Sequence, residues 1–429
     1  MRLLVVTPDY LSHYLPLNAI ATRAAGAGID VVVASGTGLR PRVMSDGHRW
    51  TELRMSAGGN AGLRPVVQLG DDLRPFIAAT TRGMVPTLLH QAQGRRHDLL
   101  WQPRQVAEET IRIVEREAPD AVLVDHLCVA ARLGLYAAGL PATTFVPGHP
   151  SQLPVAGEVY GFPVAWPRWV HATTGELATL RGRCIEISAA LAAEATAVVH
   201  GLEPKRAPVS DVFGALDAGV LYNSPAVLRD AGRVGLPNPH RFLGGCVRPA
   251  PALEPDIVRW VADGGPFVYV SLGTFLSARA DVLRRVAAAL ASGGRRVAMA
   301  TGSTNPDLLG PLPRTWLLRP FLPQIGLVAG AVGVVCHGGN NTVNEALAAG
   351  KPLVVLPLST DQFCIAVDVE RAGAGRSADP NRTSIAELAE RMTVLDDPSV
   401  RSVAKGIGLD LAKADGPREA VAALAGQQV

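Results

Sequence analysis

Short, valine-rich apolar runs recur along the chain, and most are followed by a longer segment with the apolar spacing of a helix. In the first half, this pattern predicts strands at Arg2–Val6, 29–34, 51–55, 121–124 and 142–146. It predicts helices at 16–27, 104–117, Val129–Ala138, 175–200 and 209–218. Because short buried strands joined by helices pair in parallel with right-handed crossovers, the pattern indicates a doubly wound sheet.

The same pattern starts again after a proline-rich stretch at 237–255. Strands are expected at 267–271, 296–300, 315–318, Gly333–Cys336 and 353–356, with a helix at 280–291. The predicted fold class is therefore α/β, with two doubly wound Rossmann-like domains facing across a cleft. The domains are placed at 1–240 and 256–429, with a linker at 241–255 and a last helix that could return to the N-terminal domain.

Residues 331–345 show how such a fold would bind an anion. A buried strand ends at Cys336, a Gly-Gly turn follows, and a helix expected to open at Thr342 runs to Gly350. The first N–H groups of a helix lack partners within the helix and carry the positive end of its dipole. The alternative is a tight turn that uses glycine only for its backbone angles. The predicted phosphate contacts are His337, Gly338, Gly339, Asn340, Asn341 and Thr342.

Strand order places further polar residues together. Ligands bind at the carboxyl ends of parallel strands where the order reverses, and in a 3-2-1-4-5 order the first and fourth strands are neighbours. In the first half this brings His13 near Asp125, a pairing typical of a general base and its carboxylate. In the second half it brings Ser271 and Thr274 near His337. The alternatives are a surface histidine and an aspartate that caps the following helix.

Composition excludes several other classes. The 429 residues carry a net charge of only +3 with no block of like charge, which disfavours nucleic-acid binding. The five cysteines are dispersed and the histidines lack metal-ligand spacing, so we expect a reduced protein without a metal site. No apolar run reaches the roughly 18–20 residues that span a bilayer, and no signal peptide is evident. A cytoplasmic protein is therefore expected.

Together, these motifs resemble the GT-B glycosyltransferases of family 1, especially bacterial enzymes that glycosylate antibiotics and other natural products. His13 opens a segment HYLP that is similar to the family's HxxP, although Ser12 replaces the usual preceding glycine. The segments PDAVLVDHL, FLGGCVRP, SLGT, FLPQ and HGGxxTxxEAL follow in the family's order. One departure is that Asn341 and Thr342 stand where bacterial relatives often carry Gly-Thr.

The resemblance implies inverting transfer of a sugar from a nucleoside diphosphate, without a metal or a cofactor. His13 would be the general base and Asp125 its partner. Gln324 would lie by the nucleobase, Glu345 would reach the ribose, and Asp361 and Gln362 would contact the sugar. The implied donor residues as a whole are Ser271, Thr274, Gln324, His337, Gly338, Gly339, Asn340, Asn341, Thr342, Glu345, Asp361 and Gln362.

The resemblance also implies that the acceptor, a small-molecule aglycone, binds to aromatic loops of the first domain. The candidates are Phe76, Trp101, His149, Tyr160 and Trp166. The expected donor is a TDP-deoxysugar, and a homodimer is left open. The alternatives are a sugar-nucleotide epimerase on the same fold and a UDP-sugar-dependent transferase to a lipid or sterol-like acceptor. A dinucleotide-dependent oxidoreductase is disfavoured because no GxGxxG follows the first strand.

Overall fold

The structure, a computed structural model, describes residues 1–56, 74–155, 157–214 and 218–426, except for the side chains of residues 96 and 97. It contains two parallel sheets. The first has seven strands in the order β3-β2-β1-β4-β5-β6-β7, and the second has six in the order β10-β9-β8-β11-β12-β13. The predicted fold class is thus confirmed, and in both sheets the first and fourth strands are neighbours.

The strands of the first sheet are β1 (Arg2–Val6), β2 (Asp30–Ser35), β3 (Arg49–Glu52), β4 (Ala121–Asp125), β5 (Thr143–Val146), β6 (Gly219–Tyr222) and β7 (His240–Phe242). Its helices are α1 (Leu11–Gly26), α2 (Arg40–Ser45), α3 (Arg74–Thr81), α4 (Met84–Leu99), α5 (Pro103–Glu117), α6 (Val129–Ala138) and α7 (Thr174–Leu202). Apolar side chains of the strands alternate between two buried clusters, one on each face of the sheet.

The strands of the second sheet are β8 (Val268–Ser271), β9 (Val297–Ala300), β10 (Leu317–Arg319), β11 (Gly333–Cys336), β12 (Leu353–Val355) and β13 (Gly375–Ser377). Its helices are α8 (Pro255–Asp263), α9 (Gly273–Leu276), α10 (Ala280–Ser292), α11 (Gln324–Gly330), α12 (Asn340–Ala348), α13 (Gln362–Arg371), α14 (Ile385–Met392), α15 (Pro398–Lys413) and α16 (Gly416–Leu424). Two further clusters cover the two faces of this sheet.

Two helices predicted in the first half differ clearly from the observed ones. The helix predicted at 16–27 begins five residues earlier, so Pro16 lies inside α1 and His13 lies in its first turn rather than in a loop. The helix predicted at 209–218 is absent from the described part of that segment. There the buried Arg132 guanidinium donates to the carbonyls of Val212 and Gly214 at 3.0 and 2.9 Å. These backbone carbonyls therefore have hydrogen-bond partners in a turn and do not need a helix.

The ends of the two domains overlap in space. Strand β7, which spans the predicted domain boundary at residue 240, pairs with β6 of the first sheet. The position of that boundary stays a prediction. The last helix, α16, packs against α1, and its Ala420 is fully buried in the same cluster as Leu17 and Ile20. The helix that carries His13 is therefore covered by the C-terminal end of the chain.

By length and composition alone, α7 is the one helix among the described residues that could cross a membrane, although no such run was expected from the sequence. It packs against α4 and α6 in the first domain. Its buried residues include Leu180, Cys184, Leu191 and Ala195, while most of its other side chains face outward. This stripe is the pattern of a helix that packs on one face of a domain.

Candidate active site

His13 and Asp125 meet where the order of the first sheet reverses. Asp125 is the last residue of β4, beside β1, and its Oδ2 lies 2.9 Å from Nδ1 of His13. The Asp125 side chain is fully buried, whereas that of His13 is 19% exposed. Burial raises the pKa of Asp125, but the neighbouring His13 and His126 outweigh it and hold the pKa well below the ordinary value. An ionised carboxylate only accepts, so Nδ1 of His13 carries the proton and Nε2 is left as the basic atom.

A second histidine lies on the other side of the same carboxylate. His126 is 2% exposed, its Nδ1 lies 3.3 Å from Oδ1 of Asp125, and its ring is nearly parallel to that of His13. Burial lowers the pKa of His126, so the ring is neutral at pH 7. The sequence motif PDAVLVDHL contains His126, yet sequence reasoning assigned it no role.

The predicted anion site forms at the start of α12. Gly339 is the N-cap, with no side-chain cap, and the first bond within the helix runs from the N–H of Val343 to the carbonyl of Gly339. The helix therefore opens at Asn340, two residues before the predicted start. The N–H groups of residues 340–342 have no acceptor within the helix, and they carry its positive dipole end.

His337 closes one side of this site. Ser271 of β8 pairs with Cys336 of β11, so the loops after the two strands lie side by side. The approach is so close that a Cβ atom on Gly273 would lie 2.7 Å from the His337 ring, and one on Gly339 would lie 2.4 Å from its Nε2. Burial lowers the pKa of His337 to about 4. The ring is therefore neutral at pH 7 and has one N–H to donate.

This lowered pKa predicts a loss of stability in acid. Between pH 6.5 and 4 the unfolded chain binds a proton at His337 that the folded protein excludes, so stability falls as the pH falls through this window, by up to about 1.4 kcal/mol per pH unit. Melting temperatures from pH 7 to 4 should therefore decline less steeply for His337→Gln. The control is His171→Gln at an exposed position, which should decline as the unchanged protein does. Equal slopes for His337→Gln and the unchanged protein would contradict this account.

Three of the predicted donor residues form one hydrogen-bond network. Nε2 of Gln324 donates to Glu345 at 2.6 Å and to Oγ1 of Thr342 at 3.2 Å, while its Oε1 accepts from Tyr269. Burial raises the pKa of Glu345, opposed by Gln324 and the nearby Arg248. The Thr342 oxygen accepts this bond, so its hydroxyl hydrogen remains available to donate.

Three other predicted donor residues have different partners from those expected. The Asn340 amide donates to the carbonyls of Pro147 and Asn223 at 2.6 Å, so only its backbone N–H faces the anion site. The Gln362 amide is buried and bonds the loop at 358–359. Asp361 accepts from the N–H of His149 at 2.7 Å. Asn340 and Asp361 thus bond groups of the first domain, whereas Gln362 stabilises a turn within its own domain.

Asparagines connect the two half-sites. Asn344 donates to the Asn223 carbonyl at 2.8 Å, and the Asn223 side chain accepts from the N–H of Cys246 in the linker segment. Asn341 donates to the carbonyl of Ser12, next to His13, at 2.7 Å. Sequence reasoning missed Asn223, although it follows the apolar run 219–222 just as Asp125 ends its own strand. The anion site and the His13–Asp125 pair thus lie directly opposite each other.

A cavity of about 250 Å³ opens at the carboxyl ends of the first strands, lined in part by residues 8–10 just before α1. Tyr10, whose ring centre lies 5.5 Å from that of His13, contributes to its wall. The lining also includes the charged residues Asp9, Glu52, Arg54, Arg95 and Asp98 and the apolar residues Met55, Leu99, Leu127 and Val129.

The five aromatic candidates do not appear among the described residues that line this cavity. Trp101 and Tyr160 lie behind it, since Arg54 and Arg95 of its wall stand over their rings at 5.0 and 5.5 Å. The Tyr160 hydroxyl is buried without a hydrogen-bond partner among the described residues.

The other three candidates contact the second domain or its interface. Phe76 packs against the core of the second domain. His149 pairs with Asp368 of α13 at 2.8 Å. Trp166 belongs to an interdomain cluster that includes Phe363. Phe76 and Trp166 are used in packing and His149 in a polar pair, which sequence spacing alone did not reveal.

Among the residues that the structure describes, no three His, Cys, Asp or Glu side chains cluster closely enough to hold a metal ion.

Comparison with known proteins connects this site to a family. Residues 229–406 match the family model of the UDP-glucoronosyl and UDP-glucosyl transferases. The zeaxanthin glucosyltransferase of Pseudescherichia vulneris is 27% identical over 404 residues, which cover 92% of this chain and 88% of that protein. Several other curated relatives match over less than half of their length. An uncharacterized UDP-glucosyltransferase of Bacillus subtilis is 29% identical over 37% of this chain and 40% of its own.

Solved structures match over the whole chain. The glycotransferase of kitacinnamycin has a TM-score of 0.73 at 20% identity, covering 99% of this chain and 98% of that one. The spinosyn rhamnosyltransferase SpnG, complexed with thymidine diphosphate, has a TM-score of 0.63 at 21% identity, covering 99% and 100%. These matches establish the two-domain GT-B fold, and with the family match they confirm the resemblance drawn from the motifs.

Proposed function

We propose that this protein is an inverting glycosyltransferase, because residues 229–406 match the UDP-glucoronosyl and UDP-glucosyl transferase family model and the GT-B fold is shared with natural-product glycosyltransferases. It transfers a sugar from a nucleoside diphosphate to a small-molecule aglycone. The observation that carries the proposal is the direct opposition of the two half-sites, since Asn341 of the anion-binding helix bonds the residue beside His13 at 2.7 Å.

In the proposed reaction, Nε2 of His13 takes the proton of an acceptor hydroxyl. The acceptor oxygen forms a bond to the anomeric carbon while the bond from that carbon to the phosphate oxygen breaks, and the nucleoside diphosphate leaves with the electron pair. Asp125 fixes the tautomer of His13 and stabilises the imidazolium that forms. The N–H groups of residues 340–342, His337 and the Thr342 hydroxyl stabilise the charge on the leaving group.

The donor that we propose is a TDP-deoxysugar. The complex of SpnG with thymidine diphosphate, on the same fold, supports this choice. The sequence match to UDP-glucosyltransferases favours a uridine donor as the second candidate. We place the aglycone in this cavity, where Tyr10, whose ring centre lies 5.5 Å from that of His13, and the apolar wall offer a surface for a planar molecule.

A donor and acceptor screen tests this function. We expect a TDP-sugar or a UDP-sugar to raise the melting temperature, because a ligand that binds only the folded state stabilises it. Mass spectrometry should then show a glycoside only when that donor and an aglycone are both present. An epimerised nucleotide sugar formed without any acceptor would instead favour the epimerase and overturn the transferase.

A further inference from the structure

The first turn of α1 contains a carbonyl group that its own helix cannot satisfy. The carbonyl of Ser12 would ordinarily accept from the N–H four residues later, but that residue is Pro16, which has no N–H. The acceptor lies next to His13. In this structure its bond comes from the other domain, because Nδ2 of Asn341 donates to it at 2.7 Å.

Asn341 is held in place for this contact by its neighbours on α12. Asn340 and Asn344 both donate to the carbonyl of Asn223, at 2.6 and 2.8 Å, and both are buried. These bonds attach α12 to Asn223, which directly follows β6. Asn341 reaches across the open side, and its Oδ1 lies 3.5 Å from Nδ2 of Asn223.

We infer that Asn341 is a positioning residue that replaces the hydrogen bond missing at Pro16 and thereby sets His13 relative to the donor-binding helix. The inference rests on the proposed transferase function. It differs from a role as a phosphate ligand, because a donor hydrogen that bonds the Ser12 carbonyl is not directed at the diphosphate. It also gives a reason for an asparagine where bacterial relatives often carry glycine.

A double-mutant cycle with Pro16 tests this inference. Asn341→Ala should lower kcat by about 10-fold, the effect of one lost hydrogen bond, while the Kd for thymidine or uridine diphosphate changes by less than about 2-fold. Pro16→Ala restores an N–H within reach of the Ser12 carbonyl. In that background, the same Asn341→Ala change should cost less than about 3-fold in kcat. Asn344→Ala is the matched control, since it removes an interdomain bond without touching α1, and its effect on kcat should be equal in both backgrounds.

Two results would overturn the inference. One is an equal loss of kcat from Asn341→Ala with and without Pro16, and the other is a loss of nucleotide affinity as large as the loss of kcat. Amide hydrogen exchange of residues 11–15 tests the bridge without catalysis: exchange should be faster in Asn341→Ala, and less so when Pro16 is also replaced. If the unchanged protein transfers no sugar, the proposed function fails, while this exchange measurement still decides whether Asn341 orders the His13 turn.

Discussion

His13→Ala is expected to lower kcat for transfer to a hydroxyl acceptor by about 10³-fold, the contribution typical of a positioned general base. The Kd for the nucleoside diphosphate should change by less than about 2-fold, because His13 lies across the cleft from the start of α12 and contributes no group to the anion site. Turnover assays with the active donor, together with calorimetry of thymidine or uridine diphosphate, measure the two quantities separately.

Asp125→Asn is the companion to this variant. It keeps the shape of the buried side chain but removes the charge that holds the His13 tautomer, so it should also lower kcat without weakening nucleotide binding. His171→Gln, at an exposed position, is the matched histidine control and should leave both quantities unchanged. A parallel loss of turnover and nucleotide affinity in His13→Ala would contradict the assigned role.

Gly339→Ala is expected to weaken nucleoside diphosphate binding by about 10- to 100-fold, equivalent to losing one hydrogen bond to a charged group. A Cβ atom at this position would lie 2.4 Å from Nε2 of His337. A Cβ atom on Gly273 would lie 2.7 Å from the same ring, so the loop after β8 leaves the imidazole little room to shift. The added methyl group must therefore expel the imidazole from the anion site. Calorimetry with thymidine and uridine diphosphate measures the loss.

The glycine substitution has two controls. Gly182→Ala places the same methyl group on α7 with no atom within 4 Å, and it should leave nucleotide binding unchanged. His337→Ala removes the imidazole that Gly339→Ala displaces. In a His337→Ala background, Gly339→Ala should therefore cause little further loss of nucleotide affinity. Fully additive losses would show that Gly339 acts on the diphosphate independently of His337.

The sequence was sufficient for the fold and for the centre of each half-site because both follow from local pattern and strand order. Valine-rich strands with helical crossovers predict two parallel sheets, and their order brings His13 to Asp125 and His337 to Ser271. The glycine turn of the anion site could be predicted equally well, since a tight turn between a strand and a helix requires glycine. The prediction of a helix at 209–218 was wrong because a distant side chain, Arg132, donates hydrogen bonds to the backbone carbonyls there.

Side-chain destinations at the domain interface could not be predicted in this way. Asn340 matches the family's donor motifs, yet its amide bonds the backbone of the first domain at Pro147 and Asn223. His149 looked like an aromatic contact for an acceptor, but its partner Asp368 is 219 residues away in sequence. Such contacts depend on how the two sheets pack together, which neither periodicity nor motif spacing encodes.

The packing of α16 on α1 limits how such proteins can be recombined. The C-terminal helix completes the core around Leu17 and Ile20, so it belongs structurally to the half that holds His13. A chimera that exchanges the donor half through one junction in the linker would join α1 to a foreign helix. Exchange that keeps α1 packed requires two crossovers, one near the linker and one before Gly416. The donor half is thus an insert within the acceptor half rather than a module attached to its end.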